Sequence, residues 1–171
     1  GAVYVLFRNG DGSVKNSVRI ANEVNGGPTL QAGDHFGSVV TPLGDIDGDG
    51  VCDIAVGTAE NRNEGSVYIV RLNADGSAKN FTKLASGENG VPQLAAGVTL
   101  AVPEAIGDLD GDGITDIAVG APGADGAEIN AGAVYIFHLN ADGTVKSTSI
   151  IENSSTWNSW IAVDTAFGED I

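Results

Sequence analysis

Methionine is missing from this 171-residue chain, cysteine occurs once, and basic side chains are scarce. A lone thiol, Cys52, excludes an internal disulfide. With 8 Lys and Arg against 23 Asp and Glu, the formal charge is −15. That balance argues against nucleic acid as a partner, because gripping phosphates needs clustered Lys and Arg. No apolar run approaches the roughly 20 residues of a membrane-spanning helix. The first residues do not read as a signal peptide. The only histidines, His35 and His138, have no Cys or Ser nearby in sequence to form a nucleophile pair and are expected as ordinary strand residues. The glycine-rich run Gly120 to Gly126 (GAPGADG) lacks the Gly-Lys-Ser/Thr ending of a phosphate loop and is expected as a turn. Prolines are few, at 5, while the 25 glycines show no collagen-like period and suit short strands joined by tight turns. Hydrophobic residues are 42% of the chain, so the acidity accompanies a packed core and not disorder.

Much of that acidity sits in one loop, written twice. DIDGDGVCDIAVG runs from Asp45 to Gly57, and DLDGDGITDIAVG runs from Asp108 to Gly120. Carboxylates crowded this closely repel one another unless a hard cation sits among them. Ca²⁺ accepts such a set, taking several oxygen ligands at about 2.3–2.6 Å in flexible geometry. Alternate residues of a tightly curled loop point inward, so Asp45, Asp47 and Asp49 converge, as do Asp108, Asp110 and Asp112. Gly50 and Gly113 permit the sharp turn at the sixth position. The backbone carbonyls of Val51 and Ile114 then face the ion, and Asp53 and Asp116 close its shell.

The start resembles an EF-hand loop, yet that motif needs a Glu at its twelfth position, where Val56 and Val119 stand. Mg²⁺ demands stricter octahedral geometry and keeps its waters, so calcium is the better match. A hydrated Asp-Gly turn would not need both copies to keep every ligand position. Carboxylate pairs can cleave glycosides, but here coordination accounts for all of them and leaves no proton donor, so the chain is expected not to be an enzyme. Cys52 stands where the second loop has Thr115 and is expected as a small strand-entry side chain.

Self-similarity extends beyond the loops. GAVYVLFRNGDGSVK from Gly1, GSVYIVRLNADGSAK from Gly65 and GAVYIFHLNADGTVK from Gly132 superimpose without gaps. Each is a β-rich run, an Asn-x-Asp-Gly turn and a second run; Asp-Gly is a strong hairpin signal. Val3, Tyr4 and Val5, like Val67 to Ile69 and Val134 to Ile136, fit strands buried on both faces. Gly33 to Thr41 (GDHFGSVVT) reads as a first strand before the first acidic loop, and Asp164 to Ile171 (DTAFGEDI) as its counterpart. A full unit is thus four antiparallel strands, one blade of a β-propeller. The expectation is an all-β fold holding part of a ring. Residues 1–32 form a partial blade (its third and fourth strands), 33–96 and 97–163 each form a blade with a calcium loop, and 164–171 open a further blade.

These residues resemble the FG-GAP repeats of integrin α-subunit propellers. Phe36-Gly37 and Phe167-Gly168 supply one half of that name, and Gly120-Ala121-Pro122 the other, with the acidic loop between them. Gly57-Thr58-Ala59 stands in the second place in the first repeat, and Leu100-Ala101 replaces Phe-Gly in the second. The resemblance implies a propeller, usually of seven blades, with calcium in the hairpin between first and second strands. It implies an extracellular or cell-surface module for adhesion or for recognition of a protein or glycan, in which two Ca²⁺ ions are structural. The alternative is a structural repeat of a surface fibre, sheath or large adhesin, assembled with further blades or identical chains by strand sharing. Asn80-Phe81-Thr82 and Asn153-Ser154-Ser155 match the acceptor pattern of a glycoprotein. Trp157 and Trp160 are expected to fill space between blades, and no Arg-Gly-Asp tripeptide occurs.

Overall fold

A computed structural model of the chain describes residues 1–58, 65–95, 98–100, 102–124 and 132–152. Among the described residues there are ten strands and no helix. β1 (Ala2–Arg8) and β2 (Val14–Ala21) pair as a hairpin. β3 (Val39–Gly44), β4 (Asp53–Gly57), β5 (Val67–Leu72) and β6 (Ala78–Leu84) form a four-stranded meander. β7 (Pro103–Gly107), β8 (Asp116–Ala121), β9 (Ala133–Leu139) and β10 (Val145–Glu152) form another. Every pairing is antiparallel and joins neighbours in sequence. These are blades of a propeller, and the described sheets do not close a ring.

Local chemistry makes the hairpins alike. The carboxylates of Asp11, Asp75 and Asp142 each accept the amide and hydroxyl of the residue two places on, Ser13, Ser77 or Thr144. Such Asx contacts close the turn without help from the rest of the fold.

The sheets stack face to face. β5 sends alternate side chains to opposite sides, as a pleated strand must. Tyr68 and Val70 pack with Val3, Ile20 and Phe36, whereas Val67 and Ile69 pack with Tyr135 and Phe137. The Phe36 ring meets Tyr68 edge-on, with centroids 5.5 Å apart.

Burial on both faces therefore holds for β5 but not for β1. Tyr4 is 59% exposed and Leu6 53%, whereas the equivalent Tyr68 is 5% exposed and Val70 is fully buried. No described sheet covers that side of β1. Phe36-Gly37 also departs from the expected strand: β3 begins only at Val39. His35 and Gly37 have φ of 49° and 90°, values a strand cannot hold, so Phe36 reaches the core from a turn. His35 is accordingly not a strand residue. Leu100, which replaces Phe in the second repeat, is likewise buried. Asn153, Trp157, Trp160, Phe167-Gly168 and the strand expected over 164–171 lie outside the described residues, as do Ala59 and Ala101.

Successive sheets are hooked together by a repeated backbone bond. The carbonyl of Asn25 accepts the Ala78 amide and that of Asn89 accepts the Val145 amide, both at 2.9 Å. The following glycines, Gly26 and Gly90, have φ of +77° and +88°, and a Cβ on either would collide with the carbonyl oxygen of Ala78 or Val145. Gly90→Ala is expected to cost about 3 kcal/mol, combining left-handed strain with overpacking against backbone. Gly44→Ala, at φ +74° in open space, should cost only the strain of about 1 kcal/mol. Urea denaturation of both variants checks the difference; equal losses would mean that the hook contributes nothing.

Candidate metal centre

Both acidic loops lie in the turn between the first and second strands of a four-stranded sheet, Asp45 to Cys52 between β3 and β4 and Asp108 to Thr115 between β7 and β8. Each is shaped by its first aspartate. Asp45 Oδ1 accepts the amides of Gly48 and Asp49 at 2.8 and 3.0 Å, and its Oδ2 accepts Gly50 at 2.7 Å. Asp108 repeats the pattern with Gly111, Asp112 and Gly113. Asp49 and Asp112 take the amides of Val51 and Ile114, both at 2.9 Å. A run of Asp and Gly thus curls into a cup that orders its own carboxylates.

The ninth-position aspartates tie the cup to the sheet. Asp53 is fully buried; its Oδ2 accepts the Ile46 amide at 3.1 Å and its Oδ1 the Leu72 amide at 2.9 Å, from the end of β5. Asp116 does the same with Leu109 and Leu139. Burial pushes the Asp53 carboxyl above its ordinary value, and the nearby charges of Asp47 and Asp49 push the same way, while the two amides pull it back.

One oxygen each from Asp45, Asp47 and Asp49 lie within 4.8 Å of one another, and so do oxygens of Asp108, Asp110 and Asp116. The two sets differ at the last member: Asp49 belongs to the first and Asp116 to the second. Val51 and Ile114 carry part of their side chains into the core, at the rim of the cup.

An all-carboxylate donor set suits a hard cation. Asp47 adds a sharper sign. Its Oδ1 is buried with no hydrogen-bond partner, although its other oxygen is paired. A buried acceptor left unsatisfied costs about 1–3 kcal/mol, and a cation at the convergent oxygens would remove that cost. The residues present therefore fit a divalent ion in the loop.

The matched segments coincide with this geometry. A model of the FG-GAP repeat matches residues 104–137, and one of the FG-GAP-like repeat matches residues 45–119. Human integrin alpha-E is 37% identical over 135 residues, 74% of this chain and 11% of that protein. Integrin alpha-3 of Cricetulus griseus is 33% identical over 151 residues, 85% of the chain and 13% of the relative. Human integrin alpha-11 is 37% identical over 113 residues, 63% of the chain and 9% of the relative.

The chain belongs to the FG-GAP repeat family. Its repeats are those of an integrin-α-like β-propeller, and the chain spans about a tenth of the length of these relatives.

The FG-GAP loops have neighbours that motif spacing does not reveal. Lys79, on β6, places its ammonium 2.8 Å from both Asp47 Oδ2 and Asp49 Oδ2. Lys146, on β10, stands 2.7 Å from Asp110 Oδ2 and 2.8 Å from Asp112 Oδ2. These bonds hold Asp49 and Asp112 below the usual carboxylate range and raise both lysines above theirs. His138 lies with Nδ1 3.0 Å from the buried Asp116, so it is more than an ordinary strand residue. Its counterpart in the preceding repeat is Arg71, whose Nε is buried without a partner. A signal for the lysines existed: all three aligned segments end in Lys, at Lys15, Lys79 and Lys146.

Proposed function

We propose that this chain is part of a calcium-binding extracellular β-propeller used for adhesion or for recognition of a protein or glycan, with calcium in a structural role. Asp45, Asp47, Asp49, the Val51 carbonyl and Asp53 would hold one ion. Asp108, Asp110, Asp112, the Ile114 carbonyl and Asp116 would hold the other. The single observation that carries this reading is the unpaired, buried Asp47 Oδ1 beside two further carboxylates. Bound there, the ion would cancel repulsion in a loop otherwise held by backbone amides and one lysine. Modules of this kind work at roughly 10⁻⁴–10⁻³ M affinity, which suits calcium outside cells.

The units proposed are residues 1–32, 33–96, 97–163 and 164–171, two complete blades flanked by portions of others. Adhesion is inferred from membership of the family and from the integrin names of the relatives. A role in catalysis finds no support in the loops. Their first and ninth aspartates are spent on backbone amides, and one oxygen of each of the others on a lysine. Asn80 lies exposed on β6, the outer strand of its sheet among the described residues.

Calorimetric titration of the EDTA-stripped protein tests the proposal. Calcium should give saturable heat at two sites, and Asp47→Asn with Asp110→Asn should abolish it. No heat from the unaltered protein would end the calcium reading. The alternative, assembly with further blades or copies, is favoured by one observation: Tyr4, Leu6 and Val14 are exposed where Tyr68, Val70 and Ala78 are buried by a preceding sheet.

A further inference from the structure

We propose that Lys79 and Lys146 are tethered counter-cations of the acidic loops, holding each loop's carboxylates together without metal and yielding them when a divalent ion binds. The proposal rests on the calcium reading and adds to it what sets the affinity. Four observations carry it.

The first is position. Each ammonium touches one oxygen on two aspartates spaced two apart in the loop, Asp47 and Asp49 or Asp110 and Asp112. Asp47 and Asp110 are also members of the convergent oxygen sets. The lysine therefore occupies carboxylates that a metal would need.

The second is recurrence. The same contact is built twice, from the equivalent place on the fourth strand of each sheet. An isolated exposed ion pair contributes little and is often incidental; two equivalent bridges, each to two carboxylates, are a property of the repeat.

The third is delivery. Lys79 and Lys146 follow directly on the Asp-Gly turns, whose internal bonds fix where the fourth strand starts. The Ala78 and Val145 amides, one residue earlier, are pinned by the carbonyls of Asn25 and Asn89. A flexible side chain is thus launched from a fixed backbone point.

The fourth is charge. Among the described residues no other cation makes an ion pair with an aspartate at positions one, three or five of either loop. A divalent ion at the same carboxylates repels the ammonium through a few ångströms, so lysine and metal oppose each other. Metal-free stability and metal affinity should then respond to the lysine with opposite signs, which a merely structural salt bridge would not do.

Lys79→Met, Lys146→Met and the double variant would be compared with the unaltered protein by calcium calorimetry and by melting in EDTA. Each side chain is about 40% exposed, so the variants fold. Each single substitution should tighten calcium binding at its own loop about tenfold while lowering Tm in EDTA by a few degrees. Lys79→Arg keeps the charge and should retain the original affinity. Lys83→Met, on the same strand and with the same change in net charge, should alter neither quantity. Unchanged or weaker calcium binding in Lys79→Met and Lys146→Met would overturn the proposal, as would an unchanged or raised Tm in EDTA. Should the unaltered protein take up no calcium at all, the underlying reading fails, and displacement by the ion fails with it.

Discussion

Adding 10 mM calcium to the EDTA-treated chain is expected to raise its Tm by about 10 °C. A ligand that binds only the folded state stabilises it by RT ln(1 + [L]/Kd), about 2.7 kcal/mol at a hundredfold excess over Kd. At the roughly 10⁻⁴–10⁻³ M affinities of extracellular modules, each loop would supply between about 1.4 and 2.7 kcal/mol. Two loops together give about 3–5 kcal/mol. Each kcal/mol moves the Tm of a chain this size by about 2–4 °C. The unfolded chain keeps the same aspartates but not the cup that Asp45 and Asp108 close around them, so its own affinity is small. Magnesium at equal concentration should shift the melt less, because it gives up its waters reluctantly. Protease cleavage within Gly44 to Asp53 and Gly107 to Asp116 should slow in step with the rise in Tm. Superimposed melts with EDTA and with calcium would show that the ion has no structural role.

Asp53→Ala is expected to cost about 3 kcal/mol even in EDTA, whereas Asp47→Ala in the same loop should cost less than about 1 kcal/mol. The two aspartates look interchangeable in sequence and occupy different physical situations. Asp53 is fully buried, and its removal strands the Ile46 and Leu72 amides in the interior. Each orphaned buried donor costs about 1–3 kcal/mol, offset in part because a carboxylate whose pKa is raised by burial no longer has to be kept dry. Asp47 faces the cup, and its loss breaks one exposed contact with Lys79, worth about 0.2–1 kcal/mol. In calcium both variants should also forfeit binding, since both aspartates are proposed ligands, so the order should persist. Urea denaturation of both variants, with and without calcium, measures all four values. Equal losses in EDTA would mean that Asp53 does not anchor the loop. Asp116→Ala should resemble Asp53→Ala, with the further loss of its contact to His138.

Motif spacing reports only what near neighbours in the chain do to one another. The cup was legible because its contacts are local: Asp45 reaches amides three to five residues on. The Asn-x-Asp-Gly turns were legible for the same reason. Lys79 was not, since it meets Asp47 from 32 residues away, across the sheet. The pairing of Asp116 with His138 depends on β8 lying beside β9 in one register. Phe36 misled as a strand residue because hydrophobic identity reports burial but not φ, and His35 and Gly37 on either side of it are left-handed.

The amino-acid sequence by itself determined the repeat, the strand–turn–strand hairpins and the twin acidic loops, all of which depend on bonds between near neighbours. Tertiary structure alone decided which aspartate is buried as an anchor, which lysine caps which loop, and which neighbouring sheet each face of β5 meets. Those outcomes turn on strand register and on sheet stacking. Both are set by many weak apolar contacts between distant segments, such as Val3 and Ile20 against Tyr68 and Val70, and no short motif encodes them.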